Sequence, residues 1–288
     1  MRRFLGRVAG AIALVACVVA SLAHAENPAA ASDLRLEPIR RFRAEEARQA
    51  VAVDAEYFYA IDDRRIGMYA KRTGERVASW AEREGGPIVH LNSGVVLDGR
   101  LHCAHSNYPS VPMRSSIEVF DARTLAHLAS HDLGLLPGSA TWIDRREGLF
   151  WVGLANYAGR GGVPGRGPEH SAVARFDAAW RPLGSHAFPR AVVLRFGTRS
   201  NSGGAFGPDG LLFATGHDAP ELYVLRVPAA GALLELVEIL PAPASGQGIA
   251  WDPADPDVLW TIRRKAREVV ASRLVGSAPA RSDPARAR

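Results

Sequence analysis

The sequence comprises 288 residues with a formal net charge of +5, and 47% of its residues are hydrophobic. The cationic excess lies at the two ends of the chain, because Lys and Arg are balanced by Asp and Glu between residues 26 and 271. Nucleic-acid binding requires a basic face rather than a basic tail, so the composition argues against a nucleic-acid partner. The length is consistent with one large all-β domain or two smaller domains.

The first 25 residues have the pattern of a cleaved signal peptide. Three arginines precede an apolar run over residues 8–22, and an A-x-A cleavage motif ends at Ala25. We therefore predict a periplasmic or secreted protein whose mature chain has no transmembrane segment. The alternative is a lipoprotein processed at Cys17, which the apolar residues after this cysteine disfavour.

Five repeats follow in chain order, each with an apolar strand, a turn that contains an aspartate and a second apolar strand. The turn aspartates are Asp54, Asp98, Asp144, Asp209 and Asp252. They recur at intervals of about 45 residues, apart from a longer third interval, which is the length of a propeller blade. One four-stranded sheet cannot bury both of its faces, whereas a ring of sheets can. The repeats therefore predict an all-β fold of the β-propeller class.

The outer strands of the blades come from more polar segments. A polar hairpin follows each of the first four repeats, but the fifth repeat has one further strand before the tail of residues 276–288, which we predict to be disordered. Residues 34–44 can supply the missing strand and close the ring, which removes two exposed sheet edges. We predict a single five-bladed domain over residues 26–275, with six blades as the alternative if the long third interval contains a degenerate blade.

Polar residues are concentrated in loops that a propeller places around its axis on one face. Side chains from several blades can converge there, as a small-molecule or metal site requires. The predicted catalytic residues are His105, His217 and Asp218. The predicted substrate-binding residues are Asn107, Tyr108, Asn156, Asn201, Gln247, Arg263 and Arg264.

These side chains are compatible with more than one type of chemistry. Either histidine could act as a general base, with Asp218 orienting His217. The two histidines could instead ligate a divalent metal with Asn oxygens as further donors, so the cofactor stays open, with a divalent metal ion as one alternative. Arg263 and Arg264 could bind a carboxylate or another anion. An approach of His105 to His217 across the funnel would favour an enzyme, whereas histidines that point away from the axis would favour binding or scaffolding.

Three stretches carry a resemblance to known propellers: NSGGAFGPDGLLFATGHDAPELYVLRVP, HSNYPSVPMRSSIEVFDARTL and GQGIAWD. The chain resembles exported bacterial β-propeller proteins described as cycloisomerase-like, and is more distantly similar to lactonase-type propellers of the gluconolactonase kind. The resemblance implies proton-transfer chemistry on a small anionic or lactone-type metabolite. Lactonase-type propellers hold an axial divalent metal with acidic and Asn ligands, and this chain has no matched ligand set. The alternative is a non-catalytic periplasmic propeller that binds a ligand or a protein partner, and we expect a monomer in either case.

Overall fold

The computed structural model describes residues 33–276 as five antiparallel sheets of four strands each. The sheets are the blades of a five-bladed β-propeller, which confirms the predicted fold class and blade number. The predicted signal peptide, residues 1–25, lies outside the described residues, as does the predicted tail apart from Gly276. No helix within residues 33–276 is long and apolar enough to cross a membrane.

In chain order, the strands are β1 (Arg35–Arg43), β2 (Ala50–Val53), β3 (Tyr57–Asp62), β4 (Arg65–Ala70), β5 (Arg76–Ala81), β6 (Leu91–Leu97), β7 (Arg100–Ser106), β8 (Arg114–Asp121), β9 (His127–Leu135), β10 (Ser139–Arg146), β11 (Leu149–Ala155), β12 (Ala172–Phe176), β13 (Pro182–Ala187), β14 (Gly203–Phe206), β15 (Leu212–Thr215), β16 (Glu221–Arg226), β17 (Glu235–Pro241), β18 (Ala250–Trp251), β19 (Val258–Arg263) and β20 (Glu268–Val275). A short 3-10 helix spans Pro168–His170, and helix α1 spans Arg190–Phe196. Blades one to four contain β2–β5, β6–β9, β10–β13 and β14–β17, and blade five contains β18–β20 with β1.

The N-terminal strand closes the ring as predicted. Strand β1 pairs antiparallel with β20, with partners from Arg35 and Val275 at one end to Arg43 and Glu268 at the other. Blade five therefore combines strands from the two ends of the described chain, and β20 has a hydrogen-bonded neighbour on each side.

The long third interval contains a helix rather than a sixth blade. After β13 the chain forms α1, whose Val192 and Phe196 are buried. The Phe196 ring packs edge-on against Tyr223 of blade four, with the ring centroids 5.8 Å apart. The extra residues thus join the hydrophobic cluster between blades three and four, and the six-bladed alternative does not apply to the described residues.

Apolar side chains fill the spaces between neighbouring blades. Five buried hydrophobic clusters are present, one at each of the five blade junctions. Trp142 is completely buried between blades three and four, and Cys103 is a buried thiol between blades one and two. Each blade therefore buries both faces against its neighbours, which is the reason that a single repeat could not fold alone.

Glycines allow the inner strands to meet at the centre of the ring. A Cβ added to Gly248 of blade five would lie 2.6 Å from the hydroxyl oxygen of Ser93 in blade two. A Cβ on Gly203 would lie 2.7 Å from the hydroxyl oxygen of Thr215. Such close approaches exclude larger residues at these positions. One cavity lies at each end of the ring axis, and the two cavities share no lining residue.

Candidate functional site

A polar cavity of about 370 Å³ lies at one end of the ring axis, and we call it the axial cavity. All five blades contribute to it through the loops that precede their first strands or join their second and third strands. Its polar lining consists of Gln49 and Asp63 from blade one, His90, Asn92 and Tyr108 from blade two, Thr141, Tyr157 and Arg160 from blade three, Arg199, Ser202 and His217 from blade four, and Gln247 and Arg264 from blade five.

Positive charge predominates in the axial cavity. Arg160, Arg199 and Arg264 all line it, and within residues 33–276 none of their guanidinium groups forms an ion pair with a carboxylate. The one carboxylate in the lining belongs to Asp63. Three arginines from three blades thus line one solvent-accessible cavity, an arrangement that attracts an anion.

The Asp63 carboxylate is already occupied by neighbouring side chains. His90 Nδ1 lies 2.7 Å from Asp63 Oδ1, and Gln49 Nε2 donates a hydrogen bond of 2.6 Å to the same oxygen. Burial by itself raises the pKa of the Asp63 carboxyl, but these hydrogen bonds and the charge of His90 hold it below its usual range. Asp63 therefore remains ionised and fixes His90 at the edge of the cavity.

His217 is held in one orientation at the border of the axial cavity. Its Nδ1 lies 2.6 Å from Asp218 Oδ1, and its Nε2 lies 3.3 Å from an Arg264 Nη atom. Because the guanidinium can only donate, Nε2 accepts this hydrogen bond and the ring proton resides on Nδ1, where it is donated to Asp218.

The electrostatic surroundings keep His217 neutral. Burial lowers the pKa of its imidazole, although the hydrogen bond with Asp218 acts in the opposite direction. The nearby guanidinium groups of Arg199 and Arg264 lower this pKa further. A neutral imidazole with a lone pair on Nε2 has the protonation state that a general base needs.

Four of the predicted site residues line the axial cavity, namely Tyr108, Gln247, Arg264 and His217. Asp218 and Arg263 instead line an adjoining groove between blades four and five. Part of the predicted set therefore lies at the axial mouth. The roles of these residues in catalysis or substrate binding remain predictions.

His105 lies elsewhere, in contrast to our expectation that it would face His217. It lines a separate cavity of about 610 Å³ beside the outer strands of blade two, together with Asn107. Strand β7 extends through His105 to Ser106, so the imidazole projects from a face of the blade rather than from a loop at the axis. Its Nε2 accepts the Val89 backbone N–H at 3.1 Å and its Nδ1 lies 2.8 Å from Ser116 Oγ.

The predicted asparagines are committed to the protein itself. The Asn107 amide nitrogen donates a hydrogen bond to the Pro112 carbonyl oxygen, and its amide oxygen accepts the Arg114 backbone N–H. Asn156 is fully buried and donates to two main-chain carbonyl oxygens at 2.8 and 3.0 Å. Asn201 is also fully buried; it accepts the indole N–H of Trp142 and donates to two carbonyl oxygens. These side chains brace the loops around the axial cavity and do not line it.

The donors suggested for a divalent metal are therefore not brought together. His105 and His217 line different cavities, and the three asparagines are engaged in hydrogen bonds. Within residues 33–276, no three His, Cys, Asp or Glu side chains are grouped closely enough to hold a metal ion. The residues present do not fit the metal site of lactonase-type propellers.

Two arginines of the axial cavity were not predicted from the sequence. Arg160 belongs to the Gly-rich insertion after β11, and Arg199 follows α1 in a segment without regular structure. Neither position has a periodic pattern around it. The available signal was an isolated arginine between small residues, as in Gly159-Arg160-Gly161, which exposes a guanidinium without neighbouring acidic residues.

No protein-family model and no curated protein sequence matches this chain. Several solved structures are similar. The PQQ-bound aldose sugar dehydrogenase from Streptomyces coelicolor is 12% identical, with a TM-score of 0.52, over 85% of this chain and 99% of that chain. Its likeness shows the β-propeller fold and no more.

Two further similar structures have lower TM-scores. Hydrazine synthase from Kuenenia stuttgartiensis is 10% identical, with a TM-score of 0.46, over 84% of this chain and 72% of that chain. A protein of unknown function from Bacteroides caccae is 15% identical, with a TM-score of 0.43, over 67% of this chain and 60% of that chain.

Proposed function

We propose that this chain is an exported β-propeller that acts as a monomer on a small carboxylate anion or a lactone-type metabolite in its axial cavity. The observation that carries this proposal is the convergence of Arg160, Arg199 and Arg264 on one cavity without acidic partners. A carboxylate satisfies a guanidinium through two parallel hydrogen bonds, which provides both affinity and orientation. Export is supported by the signal-peptide pattern of the first 25 residues.

The rest of the lining suits a hydroxylated ligand. The amide side chains of Gln49, Asn92 and Gln247 and the hydroxyl groups of Thr141 and Ser202 surround the same volume. Amides and hydroxyls both donate and accept hydrogen bonds, as the hydroxyl groups of a sugar acid require. A sugar acid therefore matches both the charge and the polar lining of the axial cavity, and its neutral lactone matches the polar lining.

His217 is the group that would move a proton. With Nδ1–H held by Asp218, its Nε2 can take a proton from a C–H beside the ligand carbonyl, or from a water molecule that attacks a lactone. Arg264 hydrogen-bonds Nε2 in the unliganded protein, and transfer of this guanidinium to the ligand carboxylate would free the lone pair. The protonated imidazole can then return the proton to the product, so the step is a general-base and general-acid cycle.

The second candidate function is ligand binding without catalysis. It is favoured by the separation of His105 from His217, which line different cavities. The hydrogen bond between Arg264 and His217 Nε2 also favours it, because a base whose lone pair stays occupied cannot accept a proton. Replacement of His217 should lower turnover if the protein is an enzyme. Under either function, the replacement should change the free energy of unfolding only slightly.

A screen of sugar acids and their lactones for thermal stabilisation and for turnover tests the proposal. In the active protein, His217→Ala should lower kcat by about 10²–10⁴-fold, while the free energy of unfolding changes by no more than about 1 kcal/mol. The pKa of His217 is lowered, so the neutral base persists as the pH falls and the acid limb of kcat/KM should lie below about pH 6.5.

His170→Ala is the matched control, because His170 is 46% exposed and lies outside the lining of the axial cavity. It should retain full turnover. A His217→Ala protein that binds the ligand and turns it over at the wild-type rate would eliminate the catalytic role, and a ligand bound without turnover by the wild type would identify the non-catalytic alternative.

A further inference from the structure

A groove of about 830 Å³ adjoins the axial cavity between blades four and five. Its walls are the loop between β15 and β16 and the loop between β19 and β20, and the connection from β17 to β18 lies between them. His217 and Arg264 line both the groove and the axial cavity. A ligand bound in the axial cavity would therefore meet the groove directly at these two residues.

One wall of the groove is strongly cationic. The charged side chains that line it are Arg48, Arg263, Arg264, Lys265 and Arg267, and the one acidic side chain is Asp218. The opposite wall includes Pro220 and carries this one carboxylate, Asp218, which is hydrogen-bonded to His217. Pro243, Ala244 and Ser245 of the β17–β18 connection add no charge. The groove thus continues the positive charge of the axial cavity outward along one side.

Much of this charge is available to a ligand. Lys265 is exposed and forms no ion pair within residues 33–276, whereas Arg263 shares a surface ion pair of 2.8 Å with Glu268. Arg48 and Arg267 lie 3.6 Å from the Asp62 carboxylate oxygens, beyond hydrogen-bonding distance, and Arg267 also donates a hydrogen bond to the Glu45 carbonyl oxygen. Their attraction for Asp62 is therefore weaker than that of a hydrogen-bonded pair, and leaves donors free.

A ligand that fits both volumes must be long, hydroxylated and acidic at more than one position. The axial cavity provides arginines together with amide and hydroxyl groups, and the groove provides further cations on one side only. An acidic oligosaccharide has this combination, because each sugar unit carries hydroxyl groups and one carboxylate. An acidic peptide would match the cations of the groove but carries few hydroxyl groups for the amide and hydroxyl lining of the axial cavity.

We propose that the axial cavity and the groove form one site for an acidic oligosaccharide built of uronic-acid units. The terminal unit lies among Arg160, Arg199 and Arg264, and the following units lie along the groove beside Lys265 and Arg263. This proposal rests on the proposed function of the axial cavity and adds the length and the repeated charge of the ligand.

Calorimetric titration with galacturonate and with its di-, tri- and tetrasaccharides tests the proposal. Each cation of the groove can add one exposed ion pair, so the trisaccharide should bind about tenfold more tightly than the monosaccharide. The double variant Arg263→Gln/Lys265→Gln should lose this gain and keep the wild-type affinity for the monosaccharide. Arg41→Gln, which removes an exposed charge from β1 outside the groove lining, should keep the whole gain.

The outcomes separate the two proposals. Binding of the monosaccharide without any gain from added units, or a gain that persists in the groove double variant, would overturn the oligosaccharide site and leave the axial site intact. Equal binding of an oligoglutamate with the same number of carboxylates would overturn the assignment to a sugar. Monosaccharide binding that is unchanged by Arg199→Gln would instead remove the axial anion site itself.

Discussion

Replacement of Phe42 by alanine is expected to lower the free energy of unfolding by about 3–5 kcal/mol. Phe42 lies on β1, is 7% exposed and packs between Phe58 of blade one and Trp260 of blade five, with ring centroids 5.0 and 5.7 Å away. Its loss would leave a cavity at the junction that closes the ring. Ile39→Ala on the same strand is the matched control, because Ile39 is 49% exposed and should cost less than about 1 kcal/mol.

Deletion of residues 33–43 should have a larger effect than either point variant. Without β1, the edge of β20 and the inner face of blade one become exposed, so we expect no cooperative unfolding transition in denaturant. Equal destabilisation by Phe42→Ala and Ile39→Ala, or an unchanged transition after the deletion, would show that β1 does not close the ring.

Lys71→Met should destabilise the protein by about 3–5 kcal/mol, as expected when one partner of a buried ion pair is removed. Lys71 Nζ lies 2.7 Å from both carboxylate oxygens of Asp252, and the two side chains are 15% and 6% exposed. The pair joins the turn after β4 in blade one to the turn after β18 in blade five. Its loss leaves the Asp252 carboxylate buried without a countercharge.

The double variant Lys71→Met/Asp252→Asn distinguishes the charge from the packing. It should be more stable than Lys71→Met alone, because no uncompensated carboxylate remains buried. Urea unfolding of the two variants and of the exposed control Lys265→Met provides the comparison. A loss in Lys71→Met no larger than that in Lys265→Met would contradict the structural role of the pair.

The fold could be predicted from the sequence because similar local chemistry recurs along the chain. Asp54, for example, accepts backbone N–H groups two and three residues ahead and so fixes the turn between β2 and β3. Asp209 and Asp252 likewise accept a backbone N–H two residues ahead. The prediction of a turn aspartate was wrong for Asp144, which lies within β10 and accepts the backbone N–H of Phe206 in blade four. Closure by β1 was also predictable, because the last repeat lacked one strand and residues 34–44 formed a strand that belonged to no other repeat.

The position of the candidate site could be predicted from the sequence, but the set of side chains that line it could not. The sequence did not show where β7 ends. Because β7 continues through His105 to Ser106, the His105 side chain lies on a face of the blade and not in a loop at the axis. Asn201 has the composition of a site residue, yet it binds the Trp142 indole, which only the packing of blades three and four brings near. Arg160 and Arg199 reach the cavity from irregular segments, whose course is set by tertiary contacts rather than by periodicity.

Binding of small anions in the axial cavity is tested most directly by calorimetric titration of D-galacturonate, D-gluconate and D-gluconolactone into three proteins at low ionic strength. These are the wild type, Arg199→Gln, and Arg41→Gln, which removes the same charge from exposed strand β1. We expect equal affinities for the wild type and Arg41→Gln, and an affinity reduced about tenfold or more in Arg199→Gln for at least one sugar acid. Equal affinities in all three proteins, or no binding of any of the three compounds to the wild type, would contradict an anion site on the propeller axis.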